Sequence, residues 1–177
     1  EASQAVFPLV LEAVTVGKAI IDCATLTPEY MQDMERQVAE KGGTFLEAPV
    51  SGSKGPAAAG ALIFLAGGDP ALYDTVVTDE LELMGKASFH FGPVGSGTKM
   101  KLVVNMTMGS MLTCLAEGAA LAEASSLSTG QLLEVLDLGV MSNLMFRLKG
   151  PNMLKRAHTT HFPLKHAQKD MRFALAL

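Results

Sequence analysis

Along the first ninety or so residues, short apolar runs alternate with stripes at helical spacing. KAIIDCATL, with Ile20 and Ile21 at its centre, reads as a buried strand ending in polar residues. TPEYMQDMERQVAEKGG then predicts a helix. Thr27 stands at its N-cap and Pro28 at its first helical position. Met31, Met34 and Val38 form one stripe, and Gly42 and Gly43 close the helix. TFLEAPVSG predicts a strand that Pro49 ends or turns out of the sheet. Leu62 to Ala66 predicts another strand, DPALYDTVVTDELELMG a helix capped by Asp69, and KASFHFG a short strand. Strands alternating with helices imply an α/β fold with an at least partly parallel sheet.

From Gly97 the pattern becomes helical throughout. A long run rich in Met, Ala and Leu is interrupted only by small residues such as Gly109 and Gly118. STGQLLEVLDLGV predicts a helix capped by Ser128, and SNLMFRLKGPNMLKR a short one stopped at Gly150-Pro151. HTTHFPLKHAQKDMRFALAL reads as a loop and then a helix. The expected boundary between the α/β part and the all-helical part lies between Gly92 and Gly97.

Composition narrows the function classes. Charged residues are 18% of the 177 and the net charge is −4, which leaves no electrostatic footprint for nucleic acid. Tryptophan is absent and aromatics are few, so a base-stacking platform is not expected. No run of ~18 uninterrupted apolar residues marks a membrane span. Cys23 and Cys114 are far apart without metal-ligand spacing and are expected to be buried free thiols in a reducing compartment. His161 and His166 belong to no ligand-spaced cluster, so no metal is expected. The chain opens without Met or a signal pattern and ends inside an apolar helical stripe. It is therefore expected to be a piece of a longer, non-secreted protein, cytoplasmic or in a plastid or mitochondrion.

The candidate chemistry lies in FHFGPVGSGTKMKLVVN. Gly92 and Gly97 have the glycine spacing of a phosphate-binding loop, but Thr98-Lys99 inverts the order that such a loop needs. In a helix starting near Thr98, Lys101 and Asn105 share a face, and Lys99 points roughly the other way. Two readings fit the spacing. Lys101 snorkels to the surface while Asn105 caps a nearby loop, or both line a polar cleft where an ammonium can give a proton to an oxygen.

LEAPVSGSKGPAAAGAL, GSGTKMKLVVN and FPLKHAQKDMRFALAL together resemble the β-hydroxyacid dehydrogenase family, and in particular its plant-type glyoxylate/succinic semialdehyde reductases. The family pattern Gly-x-Gly-x-x-x-Lys-x-x-x-Asn is met by Gly95, Gly97, Lys101 and Asn105. The resemblance implies the C-terminal part of a Rossmann-type cofactor domain over 1–93. An all-α domain, entered by a long interdomain helix, would follow over 94–177. The family's glycine-rich dinucleotide fingerprint has no counterpart in this sequence. The chain alone is therefore expected neither to hold a dinucleotide tightly nor to turn over.

The resemblance also implies roles. Lys101 would be the general acid, stabilising and protonating the oxygen of an aldehyde as hydride arrives from the nicotinamide. Ser51 and Gly52 would bind the substrate carboxylate, and Asn105 the substrate or Lys101. Phe162 would limit substrate size, and Asp170 would hold the lysine or order the closed site. Thr25 and Lys169 would contact the cofactor. The family usually has Ser-Thr where this chain has Ala24-Thr25, so one hydroxyl is missing there. The implied reaction is NADPH-dependent reduction of small aldehyde-acids, with NADH possible, in a protein that forms a homo-oligomer when full length. The alternatives are an NAD-dependent 3-hydroxyisobutyrate-type dehydrogenase and a non-catalytic, dehydrogenase-like scaffold. The scaffold branch lacks the lysine found here as Lys101.

Overall fold

In the computed structural model, which describes residues 2–177, α1 (Ala2–Glu12) leads into β1 (Ala19–Asp22), α2 (Pro28–Glu40) and β2 (Thr44–Glu47). Next come β3 (Val50–Ser51), α3 (Lys54–Ala58), β4 (Leu62–Gly68) and α4 (Pro70–Val76). A π-helical turn (Val77–Leu81), α5 (Glu82–Met84) and β5 (Gly85–His90) follow. The predicted caps form as hydrogen bonds. Thr27 Oγ1 accepts from the Tyr30 amide at 3.3 Å, and Asp69 Oδ1 accepts from Ala71 at 2.7 Å and Leu72 at 3.1 Å. α1 was not predicted, and it accommodates Pro8 while burying Phe7.

The sheet is mixed. β1 pairs with β2 in parallel and β4 with β5 in parallel, whereas β2 and β3 both run antiparallel to β4. β2 and β3 are one extended stretch broken at Ala48-Pro49. Pro49 has no N–H to give the ladder, but its carbonyl accepts from Leu65 at 2.9 Å, so the stretch stays against β4. Alternation along it divides the core. Phe45 joins Phe7, Val14, Met31, Met34 and Val38 on the α1–α2 face. Leu46 and Ala48 join Phe64, Ala66, Val76 and Leu81 on the other. Each of the larger of these side chains (Val, Leu, Met or Phe), once buried, contributes roughly 1.5–3 kcal/mol. A sheet with helices on both faces results.

The remaining elements are α6 (Ser96–Ala124), α7 (Thr129–Leu138), α8 (Leu144–Leu154) and α9 (Leu164–Ala174). Two compact units emerge. One runs through Val104 and includes Gln168–Leu177, and the other is Asn105–Ala167. In the second unit α7, capped by Ser128, packs on α8. Gly150 permits this contact, since a Cβ there would meet Leu133 Cδ2 at 2.7 Å.

Two expectations are corrected. α8 does not stop at Gly150-Pro151 but runs on to Leu154. Pro151 has no N–H to give the Arg147 carbonyl, and the helix continues past it. Cys23 and Cys114 are exposed rather than buried. Cys23 stands just past the end of β1, and Cys114 lies on a face of α6 that the described residues leave open. α6 is also long and apolar enough, by length and composition, to cross a membrane. Yet Thr98, Lys101, Leu102 and Asn105, all in its first turns, are buried within the protein.

Candidate active site

The site is built where α6 begins. Gly92 (φ 115°) and Gly95 (φ 100°) take backbone conformations that side-chain-bearing residues rarely adopt, and they turn the chain sharply from β5 into the helix. Lys101 lies in the second turn of α6 and is only 8% exposed. Burial lowers its pKa, the charge of Asp170 opposes that shift, and the charge of Lys169 adds to it. A lysine displaced toward its neutral form yields its proton more readily near neutral pH. Lys99, two residues earlier, is exposed.

α9 supplies the two charges around Lys101. Asp170 is 2% exposed and lies 3.0 Å from the Lys169 ammonium. Lys169 also donates a hydrogen bond to the Thr25 carbonyl and stands over the Phe173 ring, 5.1 Å from its centroid. Thr25 belongs to the loop after β1, at the carboxyl end of the parallel β1–β2 pair. Asp22 shapes that loop by accepting from the Ala24 amide at 2.8 Å, and Thr27 ends it as the cap of α2. Lys101, Lys169, Asp170 and Thr25 are thus brought together within the first unit.

The other predicted residues are placed as follows. Ser51 is the last residue of β3, paired with Ile63 of β4. Gly52 follows with φ 143°, and a Cβ there would meet Leu62 Cδ2 at 2.7 Å. Asn105 stands one turn after Lys101 on α6 and is 4% exposed. Phe162 belongs to the second unit, is 41% exposed, and stacks on His166 at 6.2 Å.

Glu47 was not singled out from the sequence. It is fully buried at the end of β2. Its Oε1 accepts from the amides of Gly95 (2.7 Å), Gly97 (2.8 Å) and Thr98 (3.2 Å), and its Oε2 accepts from Thr98 Oγ1 (2.6 Å). Burial raises its pKa, and the four hydrogen bonds act in the opposite direction. The phosphate-loop look of GPVGSGTK therefore has a physical basis. The loop and helix start do cradle an anion, and the anion is the chain's own carboxylate. A signal was available, because a charged residue ends an otherwise apolar strand, TFLEAPV.

Residues 1–92 match the family described as the NAD binding domain of 6-phosphogluconate dehydrogenase. Residues 95–177 match the NAD-binding part of NADP-dependent 3-hydroxyisobutyrate dehydrogenase. The chain is 51% identical to glyoxylate/succinic semialdehyde reductase 1 of Arabidopsis thaliana over 95% of its own length and 58% of the relative's. It is 47% identical to the chloroplastic reductase 2 of the same plant, over 93% of its own length and 46% of the relative's. It thus spans about half the length of these curated relatives. Among solved structures, 3-hydroxyisobutyrate dehydrogenase of Mycobacterium tuberculosis with L-serine superposes with a TM-score of 0.87 at 25% identity, over 99% of this chain and 62% of that one.

Proposed function

The chain belongs to the β-hydroxyacid dehydrogenase family, and on that premise we propose that the whole protein reduces small aldehyde-acids, glyoxylate and succinic semialdehyde, with NADPH. The observation that carries the proposal is the buried Lys101, with its pKa lowered, beside Asp170 on an adjoining helix. The substrates come from the Arabidopsis relatives.

Thr25 and Lys169, at the carboxyl end of parallel strands, suit the nicotinamide end of a dinucleotide and would hold it there. When bound, the cofactor supplies a hydride. The chain's own residues do the rest. Lys101 Nζ gives its proton to the carbonyl oxygen, and its positive charge stabilises negative charge building there. Asp170 keeps that ammonium charged in a buried setting, against the pull of desolvation and of Lys169. Ser51 Oγ and the Gly52 amide offer donors to the substrate carboxylate. The roles of Asn105 and Phe162 rest on the family resemblance.

The two family matches, meeting between residues 92 and 95, support a cofactor domain through residue 93 and a helical domain from 94. The exposed apolar side chains of the second unit, among them Val135, Leu138 and Leu144, support assembly of the full-length protein into a homo-oligomer. On this reading the substrate is a small molecule, with no nucleic acid or membrane partner, and the setting is cytoplasmic or organellar (plastid or mitochondrion), the plastid option being supported by the chloroplastic Arabidopsis relative. Steady-state assays of the full-length protein test the reading. Glyoxylate and succinic semialdehyde are offered with NADPH and NADH, and 3-hydroxyisobutyrate with NAD and NADP. Faster turnover of 3-hydroxyisobutyrate with NAD would replace the proposal with its alternative. No turnover of any pair would end it.

A further inference from the structure

α6 has no side chain of its own to cap it, since Gly95 precedes its first residue, Ser96. A helix start normally takes a local Ser, Thr, Asp or Asn for this purpose. Here the cap comes from Glu47, 50 residues away from Gly97 in the chain, and it satisfies the Gly97 and Thr98 amides together with that of Gly95. The join leaves no slack. A Cβ at Gly67 would lie 2.6 Å from Glu47 Oε1, and one at Gly97 would lie 2.1 Å from the Leu65 carbonyl oxygen. Lys101 follows Thr98 by three residues, one helical turn, so a shift at Thr98 is passed directly to it. In the other direction, Ser51 follows Glu47 by four residues on the same extended stretch.

We propose that Glu47 is a positioning residue: by fastening the first turn of α6 to the end of β2, it sets the place of the Lys101 ammonium relative to Asp170 and to the Ser51–Gly52 turn. The proposal rests on the reductase reading above. Glu47 touches no reacting atom, and its effect reaches the chemistry through Lys101.

The test uses the full-length protein with Glu47→Leu, Glu47→Gln and Thr98→Val. Folding is followed by circular dichroism and thermal melts, turnover by kcat and by KM for each substrate, and Lys101 by a side-chain NMR titration. Leucine fills a similar volume without acceptors. It should lower kcat at least about tenfold, leave KM for the dinucleotide within about twofold, and return the Lys101 titration toward that of an ordinary lysine. Glutamine keeps an acceptor for the three amides and a donor for Thr98 Oγ1. It should restore kcat to within about threefold of the wild type. A folded Glu47→Leu protein with wild-type kcat and wild-type Lys101 titration would overturn the proposal, as would a glutamine variant as impaired as the leucine one. If the leucine variant does not fold, Thr98→Val decides. It should show a loss of about threefold with a shifted Lys101 titration, and no change in either would sink the idea. A wild-type protein that reduces no aldehyde ends the reductase reading. The Lys101 titration in the variants still reports whether Glu47 places the lysine.

Discussion

Lys169 and Asp170 are sequence neighbours on α9 whose charged groups lie 3.0 Å apart, and they act on Lys101 in opposite directions. Asp170 raises the pKa of Lys101 and Lys169 lowers it, so one turn of helix both holds and releases the same proton. Replacing either member therefore produces opposite signs on one observable. Asp170→Asn should move the alkaline limb of the kcat/KM profile for aldehyde reduction to lower pH, and Lys169→Met should move it to higher pH. Profiles from pH 6 to 10 check this, and shifts of the same sign in both variants would refute it.

Lys101→Ala in the full-length protein should reduce turnover by about 10²–10⁴-fold, the range for loss of a general acid, while the fold stays intact. The readouts are kcat and a thermal melt. Near-normal turnover would remove Lys101 from the chemistry.

Burial of Lys101 also has a price in stability with a defined pH dependence. Its folded pKa lies below the ordinary 10.5, so folding favours the neutral amine. Below the folded pKa the lysine is charged in both states, and the native state bears the full desolvation cost. Between the folded value and 10.5 the unfolded chain binds more protons, so this contribution to stability rises with pH. Lys101→Met should therefore be more stable than wild type at pH 7, and the difference should shrink on approach to pH 10.5. Urea unfolding of both proteins across that range measures it. A difference that widens with pH would contradict the sign.

Two glycines of α6 should respond oppositely to alanine. At Gly97 the added Cβ meets the Leu65 carbonyl oxygen at 2.1 Å, and the backbone must give way. Such overpacking typically costs about 1–3 kcal/mol. At Gly118 nothing lies within 4 Å of the new Cβ. The substitution there should stabilise by up to about 1 kcal/mol through helix propensity alone. Denaturant midpoints of the two variants compare them directly.

What could be read from the sequence was what short-range patterns encode. Thr27, Asp69 and Ser128 cap the helices expected of them, because a cap bonds only two or three residues ahead. The strands at Ile20–Ile21, Leu62–Ala66 and KASFHFG lie where alternation and apolar runs placed them. The four-residue spacing placed Lys101 and Asn105 on one face of α6, but that this face is buried depends on what packs against it. The bond from Glu47 to Thr98 spans 51 residues and has no local signature beyond one charged residue in an apolar run. The path of α8 through Pro151 depends on whether a helix can lose one donor, which neither residue type nor spacing decides. The exposure of Cys23 and Cys114 depends on which faces the neighbouring elements cover, and cysteine's average preference for the interior could not supply that.

The extended stretch 44–51 sets a rule for anyone recombining this protein with its relatives. It carries Phe45 for one core face, Leu46 for the other, Glu47 for the start of α6, and the Pro49 bend before Ser51. A chimaera with a crossover inside it, or between it and residues 95–98, would join a strand from one parent to a helix seated for another. Crossovers in α2, before the stretch, or in α7, after the start of α6, leave that junction inherited whole.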